Sequence, residues 1–234
     1  MNNKLNTYGF GNSAAGVTDV VVRNRVLRNT YWLLALSMIP TVLGAWIGVA
    51  SGFTMMAGSP GLSLLIFFAV AFGFIYGIEK TKNSSMGVVL LLAFTFFMGL
   101  MLSRLISATL SFSNGPALIM YAFGGTAAVF GTMATIATVS KRDFSGMAKF
   151  LFVGLILLIL ASVANIWLQI PALMITVSVI AIGIFSAYIL FDVQRVVNGG
   201  ETNYVTATLA IYLDVYNVFA NLLALLGIFG GSRE

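Results

Sequence analysis

Seven stretches of about twenty apolar residues, divided by short polar breaks, fill this chain almost from end to end. They run approximately over 30–51, 60–79, 86–106, 117–139, 147–168, 171–191 and 204–228. Each matches the ~20 residues a helix needs to cross a ~30 Å hydrocarbon layer. Lipid gives a bare backbone N–H or C=O no partner, so each run must be helical. Only 8% of the residues are charged, against about 25% in an average soluble domain. The fold class that follows is an all-α membrane protein, a bundle of seven transmembrane helices over residues 30–228. A polar, basic tail (1–29) precedes it and a short C-terminal tail (229–234) follows, and its first partner is the lipid bilayer.

The breaks carry turn chemistry. Gly58-Ser59-Pro60, Asn114-Gly115-Pro116 and Gln169-Ile170-Pro171 punctuate the runs, Lys141-Arg142-Asp143 separates the fourth from the fifth, and Gly199-Gly200 lies before the seventh. With the N-terminus placed in the cytoplasm, the inner segments are the tail and the loops 80–85, 140–146 and 192–203. These segments and their flanks hold ten of the twelve Lys and Arg residues, leaving only Arg104 and Arg233 outside. That is a positive-inside pattern, and it accounts for the net charge of +5 without a nucleic-acid partner. The first run exceeds the 7–15 apolar residues of a signal peptide, so it reads as an uncleaved anchor.

The chain has no cysteine and no histidine. Disulfides, thiolate nucleophiles, Cys/His metal sites and histidine acid–base chemistry are therefore excluded.

The informative residues are polar ones at membrane depth, because a charge near the bilayer centre costs roughly 2.5–3.5 kcal/mol on insertion scales. The seventh run places Asp214, Asn217 and Asn221 at i, i+3 and i+7, one stripe of a helix, with Tyr212 and Tyr216 beside it. Such a stripe belongs inside the bundle, with the other helices around it. The sixth run ends in Tyr188, Asp192 and Arg195, and 22 residues with a Gly-Gly turn join Asp192 to Asp214. Adjacent antiparallel helices would bring the two carboxyl groups together. Two such groups in a low dielectric would share a proton and titrate as a pair. Deprotonated, Asp192 and Asp214 would also suit a hard cation such as Ca²⁺. The other reading pairs Asp192 with Arg195 at the interface and leaves a protonated Asp214 bonded to a neighbouring helix.

Ser162, Asn165 and Gln169 form a second polar stripe, read as interhelical hydrogen bonding. Arg104 is read as snorkelling to the interface, with a pore-mouth role as the alternative. Gly124 with Ala128, and Ala127 with Gly131, are read as small-residue faces for close helix packing.

Several stretches together resemble the Bax inhibitor-1 (TMBIM) family, in particular its proteobacterial YccA-type branch. They are Val26-Leu27-Arg28-Asn29-Thr30-Tyr31, Phe123-Gly124-Gly125-Thr126-Ala127, the run 163–173 around Asn165-Ile166-Trp167, and Gly199-Gly200-Glu201-Thr202-Asn203-Tyr204 followed by Tyr212–Asn217. The similarity covers about residues 23–230. It implies a seven-helix bundle in the bacterial inner membrane, with the last helix central and wrapped by the other six. It also implies a pH-sensitive calcium leak controlled by paired aspartates, at positions matching Asp192 and Asp214. Members of the branch are similar to proteins that associate with and modulate the membrane protease FtsH, for which the cytoplasmic tail is the expected handle.

Enzymatic activity is not expected. An intramembrane aspartyl protease needs Gly-x-Gly-Asp, whereas Ile211-Tyr212-Leu213 precede Asp214. A serine intramembrane protease needs a histidine. No small-molecule cofactor is implied, only Ca²⁺ as the transported ion.

Overall fold

The structure is a computed structural model describing residues 11–53 and 59–232, with side chains from Val22 onward. Seven helices follow one another: α1 (Gly11–Ser51), α2 (Pro60–Thr81), α3 (Ser85–Leu110), α4 (Gly115–Val139), α5 (Ala148–Leu168), α6 (Pro171–Val197) and α7 (Tyr204–Gly230), with one 3₁₀ turn, Ser145–Met147, before α5. Each contains a stretch long and apolar enough to cross a membrane; in α1 it is Val22–Ser51.

Three boundaries differ from the sequence reading by four residues or more: the start of α1 and the ends of α3, at 110 against 106, and of α6. The stretch assigned to a polar tail, 1–29, is helical from Gly11, and the first ten residues lie outside those described. The reason shows at Val26, Thr30, Leu33, Ser37 and Thr41, spaced three or four apart and all buried. One stripe faces the bundle from Val26 onward, so packing carries the helix past the end of the apolar run. Helix α6 continues six residues beyond the expected 191, because Val193, Gln194 and Val196 are buried there. Asp192 therefore stands inside a helix, not at its end.

Helix α7 packs on α1, α2, α3, α4 and α6, five of the six helices expected to wrap it, while α5 reaches the bundle through α6. Its polar side chains explain how a helix with so many hydroxyls is accommodated. Tyr212 is 1% exposed, and its hydroxyl shares a 2.8 Å hydrogen bond with Thr41 Oγ1 and lies 3.4 Å from the Thr95 carbonyl. Tyr216 donates to the Met98 carbonyl at 3.2 Å. Thr208 donates to the Tyr204 carbonyl at 2.6 Å and reaches that of Thr30 at 3.3 Å. One face of α7 is thus tied to α1 and α3, which leaves Asp214 and Asn217 on another.

Both ends of α7 are also fixed. Asn203 caps its start, accepting from Val205 N–H at 2.9 Å, and its amide nitrogen donates to Lys82 O and Asn83 Oδ1. At the other end Asn114 donates to Gly230 O at 2.6 Å, and Ser113 N–H donates to Ser232 O at 3.1 Å. The α6–α7 turn needs Gly199, which takes φ +77°.

The closest helix pair is α1 against α3. A Cβ on Gly99 would come within 2.1 Å of the Thr41 carbonyl oxygen, and one on Gly44 within 2.2 Å of that of Phe96. Gly48 meets Ser103 in the same seam. The backbones touch because these positions carry no side chain, the usual way helices associate in lipid. The faces expected to do this on α4 do not: Gly124 and Gly131 have open space around them, and Ala127 and Ala128 are exposed.

Candidate functional site

A cavity of about 690 Å³ lies between α2, α3, α5, α6 and α7. Phe67, Phe68, Phe72, Phe94 and Phe185 line its middle. Ser63, Ser103 and Arg104 lie at one end, Tyr188, Asp192 and Asp214 toward the other, and Asn217 nearer the middle. A second cavity, of about 320 Å³, opens among the loops at the Asp192 end and is lined by Glu79, Arg195, Glu201 and Thr206. The two share Ile75, Asp192, Ala210 and Leu213. Asp192 therefore stands in the wall between a cavity reaching deep into the bundle and one at its loop end.

The two carboxyl groups are brought together. Asp192 and Asp214 are close enough for a direct side-chain interaction across the α6–α7 contact. Asp214 is 5% exposed, and its Oδ2 is the only buried side-chain polar atom without a hydrogen-bond partner among the described residues. Leaving a buried acceptor unpaired costs about 1–3 kcal/mol, so such an atom calls for an explanation: a proton, a water or an ion.

The other expected site residues divide. Tyr188 lines the deep cavity, packed against Phe185. Asn217 lines it too, while its amide nitrogen donates to the Leu213 carbonyl of its own helix. Asn221 likewise donates to the Asn217 carbonyl and lines neither cavity. Arg195 is at the loop end, where its ion pair is with Glu201 at 3.3 Å and not with Asp192. Arg104 lines the far end of the cavity.

Asn165 is a correction. Its Oδ1 accepts from the Ile170 N–H at 2.9 Å, closing the turn in which Gln169 takes φ 51°. It caps α5 locally because the backbone must reverse within two residues before Pro171, and Ser162 beside it is exposed.

For calcium, Asp192 and Asp214 supply two carboxyl groups. Among the described residues no group of three or more Asp, Glu, His or Cys could hold a metal. Ca²⁺ takes 6–8 oxygens, more than two carboxyl groups supply by themselves.

Gln194 was not anticipated. It is 4% exposed, accepts from Phe144 N–H at 2.7 Å and donates to the Arg142 carbonyl at 2.6 Å. This clamps the α4–α5 loop to α6 two residues from Asp192. The only sequence signal was an uncharged amide in an otherwise charged helix end. Gln194→Ala is expected to cost about 1–3 kcal/mol and to speed amide exchange at residues 142–144, while the middle of α6 stays protected. Nearby, Asp143 accepts from the Ser145 N–H and hydroxyl, each at 2.9 Å. These donors hold its carboxyl below the ordinary value. It stays ionised at neutral and mildly acid pH, so a pH response in that range does not come from it.

A seven-helix bundle with a polar last helix, and with two facing carboxyl groups between a deep cavity and a loop-end cavity, defines a multi-pass membrane protein. The chain belongs to the Bax inhibitor-1 family, in its YccA-type branch. Residues 23–231 match the family described as inhibitor of apoptosis-promoting Bax1. It is 36% identical over 210 residues to the modulator of FtsH protease YccA of Escherichia coli K12, covering 90% of this chain and 93% of that one. It is 37% identical over 208 residues to an uncharacterized protein of Neisseria meningitidis, covering 88% and 92%. To an uncharacterized membrane protein of Vibrio cholerae it is 36% identical, covering 89% and 92%.

Proposed function

We propose that this protein is a cation leak of the bacterial inner membrane, with its N-terminus in the cytoplasm, whose calcium passage is set by protonation of the Asp192–Asp214 pair. One observation carries the reading: Asp192 stands in the wall common to both cavities and faces Asp214. While the pair holds one proton, α6 and α7 stay together and the phenylalanine-lined middle excludes ions by staying dry. Loss of that proton leaves two like charges facing each other. At ~4 Å and an effective dielectric of ~20 their repulsion is about 4 kcal/mol. That is enough to move α6 away from α7 and to give a passing cation a negative site. Leak therefore rises with pH. The inner-membrane location accords with a relative of Escherichia coli CFT073 named inner membrane protein YccA.

Ala210 tests the path because it lines both cavities. Ala210→Phe is expected to cut calcium flux into liposomes at least about tenfold, the scale of 1.4 kcal/mol, with the helical fold retained. Unchanged flux would place the path elsewhere.

The name of the Escherichia coli K12 relative favours a second reading, modulation of the FtsH protease by binding. It involves no catalysis by this chain and requires no pore. Purified liposomes contain no protease, so flux measured there belongs to the first reading alone.

A further inference from the structure

We infer that the deep cavity is also a binding site for one fatty acid of the bilayer, with its chain among the phenylalanines and its carboxylate at Arg104. Phe72 and Ile159, which line the cavity, are also exposed at the bundle surface. Helix α2 packs on α3 and touches α7, but makes no substantial contact with α5 or α6. Near one end the gap between α2 and the α5–α6 pair is narrow, a Cβ on Gly61 lying 3.8 Å from Trp167. A lipid chain can enter without crossing any polar layer.

The dimensions suit one chain. At a rise of 1.5 Å per residue, the α2 wall from Ser63 to Ile75 is about 18 Å long. One leaflet of a ~30 Å hydrocarbon layer is about 15 Å deep. The volume of about 690 Å³ lies within the ordinary ~300–1,000 Å³ of small-molecule sites. Buried Phe94 and Met98 form its inner wall. A second chain would have to remain outside.

Charge fixes the orientation. Arg104 is exposed at one end, beside Ser63 and Ser103. Asp192 and Asp214 stand at the other and repel an acid head group. A carboxylate is therefore placed at Arg104, where a guanidinium binds it with paired donors.

The test reads binding and not flux, so it stands apart from the leak. The full chain in phosphatidylcholine liposomes is photolabelled with palmitate carrying a diazirine near the chain end, at alkaline pH. Adducts on Phe94 and Met98 are expected, at least about tenfold more than with the methyl ester of the same probe, the scale of one hydrogen bond to a charged group. Arg104→Gln is expected to erase that difference, and Arg104→Lys, which keeps the charge without the paired donors, to retain part of it. Adducts confined to outward-facing Leu65 and Leu157 would overturn the site, and so would equal labelling by acid and ester. Survival of the acid–ester difference in Arg104→Gln would overturn the role of Arg104. Equal labelling of Phe94 by a diazirine phosphatidylcholine would overturn the single-chain assignment.

Discussion

Gly99→Leu is expected to remove most of the folded protein, lowering stability by about 3 kcal/mol or more. A Cβ there would be 2.1 Å from the Thr41 carbonyl oxygen and 3.0 Å from the Ala45 nitrogen. Those are backbone atoms of α1, so no side-chain rotation relieves the clash and the two helices must separate. Overpacking a soluble core commonly costs about 1–3 kcal/mol because neighbours adjust. Here the neighbour is a helix backbone that also carries Thr41, the hydrogen-bond partner of Tyr212. Moving α1 would therefore loosen α7 as well. Gly124→Leu is the control: nothing lies within 4 Å of its Cβ position, and it should leave the thermal midpoint and the yield of monodisperse protein near those of the parent. Equal behaviour of the two variants would contradict the packing described.

That pair of glycines also shows where the sequence could be read and where it could not. The seven crossings were legible because lipid forces every apolar run into a helix. The facing carboxyl groups were legible because a short turn joins α6 and α7, making them antiparallel neighbours, and because Asp214 shares a stripe with Asn217. Which glycines touch a neighbour was much harder to read. An all-apolar helix has no polar face to mark its outside, so Gly44 and Gly124 look alike in sequence. The spacing Gly44-x-x-x-Gly48 was the available signal. Asn165 misled for the opposite reason. A polar residue in a membrane helix suggests a partner across the bundle, yet the nearby Pro171 demanded a tight turn, and the turn took the side chain. The partners of Gln194 lie 50 and 52 residues away, and no local pattern contains them. The extension of α1 upstream of residue 30 depends on Val26, which packs on Val196 and Ala207 of distant helices.

The largest functional effect is expected from the carboxyl pair. Asp192→Asn and Asp214→Asn each leave a group of the same shape that holds no ionisable proton. Either should abolish the pH dependence of the leak, because one carboxyl group alone cannot produce the repulsion that separates α6 from α7. The fold should persist in both. The amide that replaces the carboxyl group can still donate to Asp192, so Asp214→Asn is expected to keep a thermal midpoint near that of the parent.

Calcium flux into liposomes of the parent, Asp192→Asn and Asp214→Asn proteins, followed from acid to alkaline pH, tests this most directly. The account predicts that parental flux rises at least about tenfold as the pair loses its shared proton, and that both variants give flat profiles. A pH step of the same size surviving in Asp214→Asn would contradict it.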